Sequence, residues 1–485
     1  MPLWTNRYQG PSGPDQARSI VTDSSGNVLV SGVSTTTNGL PNYATVKYSN
    51  VGAALGTNRY TGITNSGALE LGMAVDGSGN VFVVGYSPIV GVPPDYATVA
   101  YSSAGTPLWT NYYSEPVNGG AFPQAMAVDG AGNVIVTGGA AGGPSGPDYV
   151  TIKYSNAGVP LWTNRYNGPA ASSSDIAYGV AVDSTSNIVV TGGSTASGSG
   201  VDIATIKYSS AGVPSWTNRY NGPGNANDQG NAVAVDANGN VFVTGYSIGL
   251  SGNQDFLTLA YSSAGAPLWT NRYHGPGGSN DRAVAIAVDA SGNVVVTGLS
   301  NGANYDYATI KYSSAGVPLW TNRYNGPANN DDSVAATAVD SSGNVFVTGA
   351  AAIGVSGTGT FTNAYATVAY SSSGVPLWTN LYGPGSALAI ALDSSGNVFV
   401  TGQGGVGNPG YATIKYSSSV AQGPSPIYLD FQSLNSQLVL SWTNPIFSLQ
   451  TAPTLSDTFT NITGAASPYT NSITGNQQFF RLKSN

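Results

Sequence analysis

One stretch recurs eight times along the chain. Its clearest copy runs Ala335-Ala-Thr-Ala-Val-Asp340-Ser-Ser-Gly343-Asn344-Val345-Phe-Val-Thr348-Gly349. Two short apolar segments flank Asp-Ser-Ser-Gly-Asn, and the glycine supplies the positive φ that a tight turn needs, so the unit reads as a β-hairpin. The turn aspartates are Asp23, Asp76, Asp129, Asp183, Asp236, Asp289, Asp340 and Asp393. Their successive spacings are 53, 53, 54, 53, 53, 51 and 53 residues. A β-type period of that length holds four strands. Four antiparallel strands per period predict a propeller blade, because solenoid coils are usually shorter.

In one unit the expected strands are A, Val284–Val288; B, Val294–Thr297; C, Tyr307–Tyr312; and D, Leu319–Tyr324. The A–B turn is Asp-x-x-Gly-Asn and the C–D turn is Ser313-Ser-Ala-Gly316. Both ends of the repeat region are incomplete in complementary ways. The chain begins with a D strand, Pro2-Leu3-Trp4-Thr5-Asn6-Arg7-Tyr8, and its last unit stops at a C strand, Tyr411–Tyr416. The expectation is therefore an all-β chain whose residues 1–420 form an eight-bladed propeller. Its N-terminal strand would complete the last blade and remove two exposed edges. One D strand is atypical: Leu55-Gly56-Thr57-Asn58-Arg59-Tyr60 has glycine where the others have tryptophan.

The Asp-x-x-Gly-Asn-Val-x-Val-Thr-Gly core, followed by an aromatic strand and a Trp strand, resembles the bacterial β-propeller repeat family SBBP. The resemblance covers residues 1 to about 420. It implies a secreted or surface protein and carries no catalytic residues to transfer. The family's usual name implies seven blades, whereas this sequence counts eight.

After Ser419 the pattern stops. Residues 421–426, Ala-Gln-Gly-Pro-Ser-Pro, read as a linker. Residues 427–485 alternate again over Ile427–Phe431, Gln437–Trp442, Phe447–Thr451, Phe459–Ile462 and Gln478–Leu482. Five or six short strands in so few residues predict a small β-sandwich, fibronectin-III-like. It is similar to short domains that end many secreted bacterial proteins, which implies attachment or sorting.

Composition narrows the function classes. Charged residues are 8% of the 485, against roughly 25% in an ordinary soluble domain. The surface must be solvated by hydroxyls and amides, which suits an extracellular or cell-surface protein. No signal peptide precedes the repeat, so a mature or trimmed chain is expected. The net charge of −8 and the scattered basic residues exclude a nucleic-acid surface. With no cysteine there is no disulfide or thiolate metal site. No apolar run is long enough to span a bilayer.

The charges fall largely on the repeat. Of 15 basic residues, 11 are the strand-D arginines Arg7, Arg59, Arg165, Arg219, Arg272 and Arg323 or the strand-C lysines Lys47, Lys153, Lys207, Lys311 and Lys415. A four-residue C–D turn sets Tyr312 opposite Val317, and so Asp306 opposite Arg323. The same register pairs Asp148 with Arg165, Asp202 with Arg219 and Asp255 with Arg272. Each such cross-strand pair is worth about 0.2–1 kcal/mol. The turn aspartates are expected to accept hydrogen bonds within their own turns. Asp236-Ala-Asn238-Gly-Asn240 superficially suggests calcium, but it lacks the alternating acidic ligands and terminal glutamate of an EF-hand. No cofactor is implied.

A third set, Asp15, Asp175, Asp228, Asp281 and Asp332, stands in the D-to-A connections near one mouth of the expected channel. These residues either cap their loops or form an acidic funnel for a cation or polyhydroxy ligand. Glu70 and Glu115, the two glutamates, are placed in D–A connections of adjacent blades, where a carboxylate pair can serve a glycosidase. His274 replaces the asparagine of the usual Tyr-Asn-Gly-Pro on the same face. The variable B–C connections, Ser87–Pro94, Ala140–Pro147 and Ala350–Asn363, are rich in small polar residues. With occasional tyrosines in them, Tyr246 and Tyr305, they suit carbohydrate recognition.

The leading expectation is a non-enzymatic binding or adhesion scaffold that presents this face to a glycan or surface protein. A structural envelope or matrix component is the first alternative. A polysaccharide hydrolase or lyase is the second.

Overall fold

The computed structural model of the chain describes residues 2–62, 67–89, 92–115, 119–141, 146–170, 174–355, 361–405, 409–417, 430–434, 437–441, 447–454, 457–463, 465–472 and 478–484. Every regular element among them is a β-strand. The chain divides into two compact units, Met1–Ser418 and Ser419–Asn485. The expected linker at 421–426 lies outside the described residues.

The first unit contains eight four-stranded antiparallel sheets. In the representative sheet the strands are Asp281–Val288, Val294–Asn301, Tyr305–Tyr312 and Pro318–Tyr324, paired in chain order. The N-terminal strand Pro2–Tyr8 pairs antiparallel with Gly410–Tyr416, the third strand of the last sheet. All four strands are longer than their apolar cores suggest, because polar residues at their ends still pair in the ladder. Strand D begins one residue earlier than expected, at Pro318. The A–B and C–D turns end on one side of each sheet, and the B–C and D–A connections on the other.

Two irregularities recur. Strand A carries a bulge, at Ala283/Ala285 in this sheet, and Gly298 lies opposite it. A Cβ on Gly298 would sit 2.1 Å from the Arg282 carbonyl, so the glycine of Val-Thr-Gly answers a close backbone approach. A second bulge falls at Lys311/Tyr312, where the C–D turn begins. It sets Tyr312 opposite Pro318 and Ala308 opposite Arg323. The simple register that put Asp306 opposite Arg323 is therefore displaced. The ion pair forms nonetheless, at 2.9 Å, because the two side chains share a face diagonally and arginine reaches that far.

Apolar residues meet between neighbouring sheets. Phe242, Phe256 and Ala260 of one sheet pack with Val294, Val296 and Ile310 of the next. The last sheet meets the first in the same way, through Phe399 and Tyr411 against Val28, Val30 and Tyr48. Polar groups fasten these contacts. The Trp269 indole N–H donates to the Ser314 carbonyl of the next sheet, and Asn271 donates to the Gly316 carbonyl. Gly316 has φ +80°, and a Cβ there would fall 2.6 Å from the Trp269 ring. The Lys311 ammonium pairs with Asp289 in its own A–B turn at 2.9 Å and donates to Ser372 in the next sheet.

The turn aspartates behave as expected. Asp289 accepts from the Ser291 and Asn293 amides and from the Asn293 side chain, each at 2.9 Å. Partial burial pushes its carboxyl up, but the Asn293 amide and the Lys311 ammonium more than offset that and hold it below the usual range. Stability from this turn is therefore present above the ordinary carboxylate pKa and is lost as pH falls through the depressed folded value. One turn departs from the pattern: Ser186 stands where the others have glycine, and it holds φ +63°.

The second unit contains two three-stranded antiparallel sheets. One orders Asp430–Leu434, Gln437–Ser441 and Tyr469–Ser472; the other orders Thr460–Asn461, Phe447–Ala452 and Phe479–Ser484. Its small core centres on Leu440 and Leu449.

Ser186→Gly removes a left-handed strain and should raise stability by about 1 kcal/mol. Gly316→Ala should lower it by about 2 kcal/mol or more, since it combines that strain with a clash on an indole. Equilibrium denaturation of both variants beside the parent checks the two signs.

Candidate functional site

The D–A and B–C connections share one side of the sheets, and all eight charged residues named as site candidates lie on or near it. The five aspartates Asp15, Asp175, Asp228, Asp281 and Asp332 are buried. Each carboxylate bridges two backbone amides. Asp281 accepts from Gly275 at 2.6 Å and from Asn301 at 2.9 Å, and Asp175 accepts from Gly168 at 2.8 Å and Thr195 at 3.0 Å. Asp15, Asp228 and Asp332 repeat the arrangement. The effect is to tie the D–A loop to the end of strand B. Burial pushes the Asp228 and Asp332 carboxyls up against these donors. Each carboxylate thus meets one amide of the D–A connection and one at the end of strand B.

The arginines form the next layer. Arg165, Arg219, Arg272 and Arg323 pair with Asp148, Asp202, Asp255 and Asp306 at 3.0, 3.0, 2.7 and 2.9 Å. They also reach neighbours that sequence reasoning missed. Arg219 donates to Ser194 in its own sheet and to the Tyr166 hydroxyl in the preceding one. The serine lies in the strand-B end and the tyrosine closes strand D, so the signal was the repetition of both beside the arginine.

Glu70 and Glu115 part company. Glu115 follows strand Pro107–Tyr113, as expected, and is held by Arg165 at 2.6 Å and by the Tyr113 hydroxyl at 2.7 Å. Glu70 does not lie in a connection. It is the second residue of strand Leu69–Val75, opposite Gly85, where four of the other sheets carry Ala17, Ala177, Ala283 and Ala387 and the remaining three Pro123, Gly230 and Val334. Its side chain is fully buried, and neither oxygen completes a hydrogen bond. Burial raises its pKa to about 7, with the nearby Ser19 hydroxyl and Arg18 guanidinium pulling the other way. A buried glutamate cannot line an open cleft with Glu115, so the two do not form an acid–base pair for an extended polysaccharide.

His274 is half exposed, and its Nδ1 lies 2.7 Å from Asp255, whose other oxygen holds Arg272. Asp255, His274 and Asp281 place ligand-type atoms within 4.8 Å of one another. A cation there would compete with Arg272 and with the amides that hold Asp281. At the turns, Asp236 receives amide donors from Asn238 and Asn240, which also present hydrogens to any cation.

The two aromatics are placed differently from the loop reading. Tyr246 sits within strand Val241–Ile248, half-buried, opposite Phe256. Tyr305 opens strand Tyr305–Tyr312, and its amide donates to Asp331. The B–C connections are largely long hairpins. Ser87–Pro94 lies within strands Val81–Ile89 and Val92–Tyr101, and Ala350–Asn363 within Val345–Val355 and Phe361–Tyr370. Residues 90–91, 142–145 and 356–360 at their tips lie outside the described residues.

Residues 219–250 match the β-propeller repeat family SBBP. No curated protein matches the chain. Among solved structures, the Dos1 propeller is similar with a TM-score of 0.52 and 9% identity, covering 86% of this chain and 94% of its own. The β-propeller domain of the Trilobed protease from Pyrococcus furiosus has a TM-score of 0.42 and 7% identity, covering 74% of this chain and 99% of its own. Catalytically inactive virginiamycin B lyase from Staphylococcus aureus has a TM-score of 0.39 and 12% identity, covering 71% and 95%. The repeat match and the likeness to the Dos1 propeller show the fold alone: the chain is a β-propeller protein.

The Glu70 carboxyl, raised above its unfolded value, stays protonated in the fold while the unfolded chain ionises. Stability should therefore fall as pH rises from about 4.5 to about 7, by about 3 kcal/mol from this group. Glu70→Gln should flatten that part of the stability–pH curve, read by denaturant melts across the range.

Proposed function

We propose that the chain is a secreted or cell-surface binding scaffold without enzymatic activity. In this reading it is an eight-bladed propeller completed by its N-terminal strand, followed by a fibronectin-III-like sandwich. The pairing of Pro2–Tyr8 with Gly410–Tyr416 supports the ring, as does the Tyr411 hydroxyl on the Ala44 carbonyl at 3.1 Å. One observation carries the functional reading. The carboxylates and guanidiniums beneath the hairpin side are committed to each other and to loop amides, while the hairpins themselves differ in length from sheet to sheet. A rigid charge lattice below variable, weakly charged hairpins is the layout of a recognition face. Small polar side chains with an occasional tyrosine suit a glycan or a glycosylated surface protein.

The test is incubation with a panel of polysaccharides and surface glycans, reading retention and released products together. The expected result is retention without products, weakened several-fold by Tyr305→Ala. Release of oligosaccharides that is lost in Glu115→Gln would overturn the non-enzymatic reading. Absence of both signals would favour a structural role in an envelope or matrix.

A further inference from the structure

The strand Ala54–Tyr60 lacks the tryptophan of its counterparts, and the structure shows what that absence leaves. Gly56 lies opposite Lys47, in the register that sets Trp320 opposite Lys311 and Trp162 opposite Lys153. A Cβ on Gly56 would meet nothing within 4 Å. The space beyond it is a cavity of about 320 Å³, lined by Leu29, Lys47, Leu55, Gly56, Tyr101 and Ser103 among others. That volume lies at the lower end of the range of small-molecule sites.

The other sheets show what such a cavity accepts. Trp269 packs between Phe242 of its own sheet and Tyr312 of the next, with ring centroids 5.9 and 5.8 Å away. Trp378 sits between Phe346 and Tyr416 in the same way. At the notch the corresponding walls are Leu29 and Tyr101. The polar end is also in place. Elsewhere one turn carbonyl accepts from both the lysine and the indole: Ser210 takes Lys153 and Trp162, Ser263 takes Lys207 and Trp216, and Ser372 takes Lys311 and Trp320. At the notch the Ser103 carbonyl takes Lys47 at 2.9 Å, and among the described residues no indole supplies the second donor. The Lys47 side chain is 19% exposed, against 2–9% for the four other repeat lysines, so the notch opens to solvent beside it.

We infer that this notch is a binding site for a flat aromatic ligand with a ring N–H, of the size and shape of indole. The ring slots between Leu29 and Tyr101 and donates to the Ser103 carbonyl. The site goes beyond the hairpin-face reading and does not depend on it. It lies between neighbouring sheets at the ends of the C–D and A–B turns, on the side opposite the B–C hairpins.

Indole itself is the probe, titrated calorimetrically against the full chain and followed by thermal shift. The expected dissociation constant is on the order of 0.1–1 mM, as suits so small a ligand. Gly56→Trp fills the notch from within. It should raise the melting temperature and weaken indole binding at least about tenfold. Naphthalene, which matches the shape but lacks the N–H, should bind more weakly than indole. A tryptophan-bearing peptide separates the two sources of such a ring: competition with indole shows that a partner's side chain can enter, and its absence restricts the site to a free small molecule. Indole binding that is equal in the parent and in Gly56→Trp would overturn the proposal. So would no binding to the parent while a Trp320→Gly variant, which opens an equivalent notch, does bind.

Discussion

The structure depends on an indole laid over a glycine. In six sheets a strand-D tryptophan covers the C–D turn of the next sheet, donating to one of its carbonyls while the asparagine two residues on donates to another. Only a glycine fits beneath the ring, and only a turn with positive φ presents its carbonyls outward. The lysine that anchors the A–B turn reaches the same carbonyl in several sheets, so one point joins strand, turn and neighbour. Each contact is modest in water, but the set is repeated from sheet to sheet, and the apolar contact between sheets sits directly behind it. Trp4 extends the pattern from the completed last sheet to Asn50 and Gly52 of the first.

How much of this was legible follows from where the repeat speaks. The hairpin turns, the four-strand period and the Asp–Arg partners could be read because they recur at fixed offsets in sequence. Register could not: the bulges at Ala283/Ala285 and Lys311/Tyr312 each shift it, and a bulge leaves no apolar signature. Strand ends were cut short because residues such as Asp281 and Tyr305 look like loop until their backbone partners are known. Glu70 misled for the same reason. A charged residue argues for a connection, yet here the ladder continues through it and carries the carboxyl inside. Of the aspartates expected in the connections, Asp175, Asp228 and Asp281 instead open strand A, and only the structure shows two amides meeting each carboxylate.

In a repeat this regular, departures carry more information than the consensus. Ser186 holds a glycine's conformation, His274 brings an imidazole to an Asp–Arg pair, Glu70 buries a carboxyl where the other sheets carry Ala, Pro, Gly or Val, and Gly56 omits an indole. The first and third are costs borne by the fold. The second adds one more partner to a pair already satisfied by arginine. The fourth leaves a shaped space with a matching acceptor, the place proposed for a ring ligand. The hairpin side offers recognition of a different kind, built on backbone length and small polar groups above a neutralised base.

In the proposed ring the sheets form one mechanically continuous assembly, joined sheet to sheet and completed by the first strand. Deletion of residues 2–8, with unfolding followed by calorimetry, tests it most directly. Removing that strand takes away Trp4, Asn6 and Tyr8, and with them the indole and amide bonds from the last sheet to the C–D turn of the first. The account predicts a lower, broadened transition for the whole first unit and recovery when a peptide of residues 2–8 is supplied. A transition unchanged in midpoint and width would contradict it, for the sheets would then stand without being joined.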